Sequence, residues 1–155
     1  MENIVNLKVE NHNLAAGDYQ VVVFKLGKEE YAVNVLNVQE INRISNITRV
    51  PKTSDFIEGV INLRGNIVPV INLYKKFGLE NYSSEDEKTI IIFMFGEEQA
   101  GIIVDEVSEV LRVNVDDIEE TAQVYDSLIT EHIMGIAKVD ERLLILLDLF
   151  KILEL

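Results

Sequence analysis

The chain has 155 residues, 48% of them hydrophobic and none of them cysteine. That length holds one domain or two small ones, and the missing cysteines exclude a disulfide framework and thiol chemistry. The formal net charge of −13 falls wholly on residues 83–155, where five Lys/Arg stand against eighteen Asp/Glu, while residues 1–82 balance at nine and nine. So negative a chain repels phosphate backbones and anionic membranes, which argues against nucleic-acid binding. Its apolar runs are far shorter than a bilayer span, so no direct membrane insertion is expected.

Residues 1–17 carry Asn, Glu and Gly with little periodicity and read as a flexible N-terminal arm, without the basic start and apolar core of a signal peptide. Residues 21–26 form a near-continuous run of β-branched and aromatic side chains, which predicts a buried strand. Gly27-Lys28-Glu29-Glu30 turns the chain, and residues 31–35 return as the second strand of a hairpin. Val35, Val38, Ile41 and Ile44 then recur at every third position, which fits a helical turn followed by a strand. Residues 53–59 offer one helical turn capped by Thr53 or Ser54.

Residues 60–63 and 67–73 flank Arg64-Gly65-Asn66, a tight hairpin in which Gly65 supplies positive φ. Pro69 removes a ladder donor and predicts an edge or a bulge at that point. Residues 74–77 read as a short helix stopped by Gly78, and the polar, acidic residues 81–87 as a linker. The second half predicts a hairpin over 90–104, a turn and strand over 107–113, an acidic and partly helical insertion within 114–131, a hairpin over 136–149 and a helix over 150–153.

The programme is written twice. YQVVVFKLGKEEYAVNVLNVQEI from Tyr19 aligns without a gap on KTIIIFMFGEEQAGIIVDEVSEV from Lys88, sharing Phe24/Phe93, Gly27/Gly96, Glu29/Glu98, Val35/Val104, Val38/Val107 and Glu40/Glu109. GVINLRGNIVPVINLYKKF from Gly59 likewise matches GIAKVDERLLILLDLFKIL from Gly135. Two copies are too few for a solenoid and predict two similar β-rich units, residues 18–82 and 83–155, related by a pseudo-twofold axis, with strands that could cross between them. A seam between halves and similar surfaces at both ends is the geometry of a connector. The near-copies nevertheless differ in charge. Within the first copy, Arg43, Arg49, Lys52, Arg64, Lys75 and Lys76 form a locally basic stretch over residues 43–76, against only Asp55 and Glu58 there, which predicts divergence toward different partners.

Catalysis needs a positioned nucleophile, base or metal. The two histidines, His12 and His132, lack metal-ligand spacing and read as surface residues. Asp116, Asp117, Glu119 and Glu120 lack the alternating ligands and central glycine of a calcium loop, and Asp116 or Asp117 reads instead as a helix cap. Asp105 and Glu109 could be imagined as paired carboxylates, yet their repeat counterparts are Leu36 and Glu40, so the pair is not a property of the fold. No phosphate loop or nucleophile elbow is present. The sequence therefore predicts no enzyme, no cofactor and no metal. By composition alone Val38 and Ile41 fit a core as well as an interface, and Arg64 fits an exposed turn.

The segments EEYAVNVLNVQEI, FIEGVINLRGNIVPVINL and GIIVDEVSEVL closely resemble those of the CheW-like adaptors of bacterial chemotaxis, and the similarity runs from about Tyr19 to Leu153. The resemblance implies two five-stranded SH3-like β-barrels with short helices. It also implies a non-enzymatic adaptor that couples transmembrane chemoreceptors to the histidine kinase CheA through the kinase's own CheW-like regulatory domain, and that helps assemble the receptor signalling array. The implied location is the cytoplasm, at the inner face of the membrane. Carried over by position, Val35, Val38, Glu40 and Ile41 lie at a receptor-binding groove between the barrels, where the tip of a receptor's helical hairpin packs. Val104 and Val107 supply the opposing wall, Arg64 makes a signalling contact, and Gly59 and Gly65 hold structural turns. The second-copy equivalent of the N-L-R-G turn is Val139-Asp140-Glu141, which implies ends that bind different surfaces. A receiver-linked coupling protein or the regulatory end of a kinase would carry a further domain, whereas here the second copy runs directly to Leu155. An alternative from another class is an acidic small-molecule or metal-binding domain that uses the inter-barrel groove.

Overall fold

The computed structural model describes residues 17–43, 46–51, 55–79, 88–119 and 132–153. In chain order these form β1 (Asp18–Leu26), β2 (Glu29–Asn34), a 3-10 turn (Val35–Asn37), β3 (Val38–Arg43), β4 (Ile57–Leu63), β5 (Asn66–Asn72) and helix α1 (Leu73–Phe77). The second copy supplies β6 (Thr89–Phe95), β7 (Glu98–Val104), β8 (Glu106–Asn114), a 3-10 turn (Val115–Asp117), β9 (Ile118–Glu119), β10 (Ile133–Val139), β11 (Arg142–Leu147) and helix α2 (Leu149–Ile152). The fold is mostly β, in two sheets.

Sheet membership does not follow the copies. One sheet has the order β3-β6-β7-β5-β4, the other β8-β1-β2-β11-β10-β9. The chain accordingly divides into one compact unit built on Asn37–Glu106 and another built on the described parts of Leu7–Leu36 and Val107–Leu155. The boundary at residues 82 and 83 therefore does not separate the sheets: each copy lends its first hairpin to the other copy's strands. Two parallel ladders make the loan. β5 runs beside β7 with Val70 opposite Gly101, and β11 runs beside β2 with Leu146 opposite Ala32. The unit holding β8 has six strands rather than five, the extra one being the two-residue β9, paired with β10.

The apolar runs fold as their composition dictates. Val21, Val22, Val23 and Phe24 on β1, and Ile90, Ile91, Ile92 and Phe93 on β6, are all buried, so both faces of each strand are covered. One core gathers Val21, Val23, Ala32, Val113, Ala137, Leu144 and Leu146, the other Ile61, Val68, Val70, Ile90, Ile92 and Ile103. The short helices are capped alike: Asn72 Oδ1 accepts from Lys75 N–H, and Asp148 Oδ1 accepts from Phe150 and Lys151 N–H. Gly78 ends α1 in the left-handed region, as its sequence position predicts. Pro69 lies where β5 has β4 on one side but has not yet met β7, a local edge.

Several expectations change. Gly59 is not in a turn. It sits inside β4 at a register shift, where a Cβ would run into the Thr48 carbonyl and the Ile47 side chain. Residues 57–59 are strand rather than helix, and Thr53 and Ser54 lie outside the described residues. β8 has no helical turn at its head. That turn follows the strand and is capped by Asn114, whose Oδ1 accepts from Asp116 N–H, so Asp116 and Asp117 fill the turn instead of capping it. His132 is buried rather than exposed, because the strand it introduces carries it beneath the surface. Of the arm only Gly17 is described, and its carbonyl accepts from Val115 N–H at 2.7 Å. His12, the linker 81–87 and most of the acidic insertion lie outside the described residues.

The two glycines of the first copy's β4–β5 hairpin separate two physical causes. Gly65 has φ +89° with open space where a Cβ would go, whereas Gly59 is closed by backbone. Gly65→Ala is expected to cost about 1–2 kcal/mol of conformational strain, and Gly59→Ala more, because Thr48 must move. Denaturant unfolding of both variants checks the order, and a larger loss at Gly65 would contradict it.

Candidate functional site

The β4–β5 turn, Leu63-Arg64-Gly65-Asn66, places positive φ at both central residues, +53° at Arg64 and +89° at Gly65. That is the type I′ geometry that suits the twist of a two-residue hairpin. Asn62 Oδ1 stabilises it by accepting from Gly65 N–H at 2.9 Å. Arginine rarely adopts this backbone conformation, and here it projects a side chain that is 70% exposed.

Its guanidinium meets Glu40 from β3. Arg64 Nη1 donates to Glu40 Oε2 at 2.7 Å and Nη2 to Oε1 at 3.1 Å, a two-pronged pair. Asn42 Nδ2 adds a third donor at 2.9 Å to Oε1. β3 and β4 end the sheet on opposite sides, so the pair ties its two extremes together. A bulge at Gln39 sets Glu40 in place: Val38 opposes Phe93 and Glu40 opposes Ile92, with Gln39 as the extra residue, its Oε1 accepting from Gln99 Nε2 at 2.6 Å. The Arg64 hydrogen bonds hold the Glu40 carboxyl below its ordinary range, with help from Asn42 and against the opposing effect of burial. The same partnership raises Arg64 further.

The other unit carries a changed version. Glu109, the counterpart of Glu40, accepts from Arg142 at 2.7 Å. Arg142 also binds Glu30 two-pronged, at 3.1 Å for both Nε–Oε1 and Nη2–Oε2. Position 140, equivalent to Arg64, is an aspartate that keeps the positive φ, +58°. The geometry recurs while the charge at the tip reverses.

Two residues expected separately, Glu40 and Arg64, are thus brought together, and Gly65 is in its turn. Val35, Val38, Ile41, Val104 and Val107 are all buried, at 3%, 7%, 2%, 0% and 8% exposure. Their side chains belong to the protein's own packing. Leu36, 56% exposed in the 3-10 turn, and Ile67, 65% exposed beside the Arg64 turn, are among the exposed large apolar residues and were missed by sequence reasoning. A signal for Leu36 existed: it is the apolar member of a repeat pair whose other member is Asp105.

Asp105 and Glu109 do not act as a carboxylate pair. Asp105 accepts from Tyr74 Oη at 2.7 and 2.8 Å and from Lys88 Nζ at 2.7 Å, while Glu109 is engaged by Arg142. Among the described residues no three His, Asp or Glu are grouped to hold a metal, and no helix is long and apolar enough to cross a membrane. A cavity of about 520 Å³ in the β8-containing unit is walled by Val21, Ala32, Val115, Met134 and Leu146, with Asn34 as a polar member, and among its described lining residues there is no acid or base.

Comparison with known proteins bears on this arrangement. Residues 20–155 match a family model described as CheW-like domain. The chain is similar to the chemotaxis protein CheW of Klebsiella aerogenes, 41% identical over 135 residues that cover 87% of this chain and 81% of that one. It is also similar to CheW of Thermotoga maritima, 37% identical over 90% of this chain and 91% of that one. The crystal structure of the scaffolding protein TtCheW from Thermoanaerobacter tengcongensis superposes with a TM-score of 0.76 at 39% identity, over 83% of this chain and 88% of that one.

The Glu40–Arg64 pair has a signed pH dependence. A carboxyl held low in the folded state contributes stability that is present above its unfolded pKa, near the ordinary 4.5, and lost as pH falls through the lower folded value. Arg64→Ala is expected to raise the Glu40 pKa in an NMR titration and to destabilise at pH 7 more than at pH 3. An unmoved Glu40 titration would contradict the pairing.

Proposed function

The chain belongs to the CheW-like family, and from that premise we propose that it is a non-catalytic scaffold of chemotaxis signalling. It couples the cytoplasmic tips of transmembrane chemoreceptors to the histidine kinase CheA and helps assemble their array at the inner face of the membrane. The observation that carries this reading is the family match over residues 20–155, which spans both sheets. The site chemistry agrees with it: the described titratable groups around Asp105, Glu40 and Glu109 are held in ion pairs and hydrogen bonds within the fold.

An adaptor needs anchors and orientation. Exposed apolar side chains such as Leu36 and Ile67 supply anchors, since burying one fully contributes about 1.5–3 kcal/mol. Charges at the rim decide partner and register more than affinity. The Arg64 tip is cationic and its counterpart, Asp140-Glu141, anionic. Turns of opposite charge let one unit contact one CheW-like domain of the kinase and the other unit the next, in a heterologous series that closes when the rotation permits.

Titration calorimetry against a receptor cytoplasmic hairpin and the isolated CheA regulatory domain tests the proposal. Saturable binding to both is expected. Leu36→Ala should weaken the receptor hairpin by about fivefold or more with an unchanged melting temperature, and Arg64→Ala should weaken it as much while losing only the stability of the Glu40 pair. Val38→Ala, being a core truncation, should lower the melting temperature as well. A folded protein that binds neither partner would overturn the reading.

A further inference from the structure

Hairpins β1–β2 and β6–β7 are near copies, and each is built into the sheet of the opposite copy. The backbone does not tell them apart: Val70 opposite Gly101 and Leu146 opposite Ala32 are repeat counterparts, so the two parallel ladders share one register. We propose that two polar clusters, Tyr74–Asp105–Lys88 and Glu30–Arg142, assign each hairpin to its sheet.

In the unit holding α1, Tyr74 is 4% exposed and donates its hydroxyl to Asp105, which also accepts from Lys88. The Lys88 ammonium, on a residue only 8% exposed, lies 4.9 Å from the centre of the Tyr74 ring. Lys88 and Asp105 sit at the two ends of the β6–β7 hairpin, whereas Tyr74 comes from the helix that receives it. The equivalent positions of β1–β2 are Tyr19 and Leu36, and the helix residue equivalent to Tyr74 is Phe150. One unit closes this corner with a carboxylate, an ammonium and a hydroxyl, whereas the sequence of the other offers neither charge at the equivalent positions.

Exchanging the hairpins would set Leu36 beside the buried Tyr74 hydroxyl in place of Asp105, while Lys88 and Asp105, which travel together on one hairpin, would be carried out of this buried corner to one where Phe150 is exposed. A buried donor deprived of its acceptor is costly, more so than an apolar mismatch. The second cluster acts in the same sense. Glu30 on β2 binds Arg142 on β11 through two hydrogen bonds, and the counterparts of these residues are Gln99 and Asn66. A misplaced β1–β2 would face Asn66 with its glutamate, and a misplaced β6–β7 would face Arg142 with a neutral amide. Both clusters therefore penalise one alternative assembly, within a chain or between two copies, in the way that polar and charged pairs fix partner choice elsewhere.

The absence of cysteine makes the assignment readable by cross-linking. Ile71 and Ile102 are partners in the observed ladder, and the misplaced hairpin would put Val33 where Ile102 now stands. Chains carrying Ile71→Cys with Val33→Cys are refolded from denaturant under oxidising conditions, and the bond between these sites is counted by mass spectrometry. Ile71→Cys with Ile102→Cys serves as the reference for correct assembly. Two backgrounds replace cluster residues by their own counterparts: Lys88→Tyr with Asp105→Leu, and Glu30→Gln with Arg142→Asn. The second alters partly exposed groups and keeps the core. The 33–71 bond should be rare in the parent and rise about tenfold in each background, equivalent to ~1.4 kcal/mol of lost discrimination. Clusters that merely stabilise would lower the melting temperature and leave the bond at the parental level. That result in the Glu30→Gln, Arg142→Asn background overturns the proposal, whatever the folding yield of the other.

Discussion

Everything in this fold depends on two parallel strand pairs, β5 with β7 and β2 with β11. Each joins a hairpin of one sequence copy to a strand of the other, so neither sheet can be completed by residues adjacent in sequence. A parallel pair requires a crossover rather than a tight turn, and here the rest of the chain is that crossover. The backbone leaves one unit at Leu36 and returns to it at Val107. Duplication without exchange would make two independent beads on a string. With exchange, each unit needs both copies, and the chain folds with contacts that are long-range by construction.

Four of the residues singled out for binding flank the two positions in the sequence where the chain changes unit. Val35 and Val38 bracket the step from Leu36 to Asn37, and Val104 and Val107 bracket the return. Their burial has a structural cause: a chain that passes from one sheet to another must be packed at the step, or the step would fray. The proposed adaptor role therefore looks to exposed side chains in each unit, Leu36 in the 3-10 turn of one and Arg64 in the charged turn of the other. Arg64 is presented in two ways at once, by a left-handed backbone that only a two-residue turn readily supplies and by a carboxylate that fixes the direction of its guanidinium. An exposed arginine with a fixed direction recognises geometry as well as charge.

Much of this was legible in the residues, for stated reasons. The repeat, the hairpins at Gly27 and Gly65, the strand-like runs and the stop at Gly78 follow from local chemistry, and local chemistry is what a sequence displays. The exchange of hairpins was not legible, because a repeat fixes the likeness of units and says nothing about which copy pairs with which. Gly59 looked like a turn residue because glycine usually marks one. Its reason is the close approach of the Thr48 carbonyl, a tertiary contact without local signature. Asp116 and Asp117 looked like caps, and Asn114 took the role because the strand ends two residues earlier than the acidic cluster suggests. Glu40 and Arg64 were each found by family resemblance; their union, 24 positions apart, came only from the fold.

The most direct measurement is reconstitution of receptor-bearing membrane vesicles with the CheA kinase, in the presence and absence of this chain, followed by sedimentation and by kinase activity with and without attractant. An adaptor predicts that the kinase pellets with the vesicles, and responds to attractant, only when this chain is added. Equal sedimentation and equal response without it would contradict the proposed coupling role.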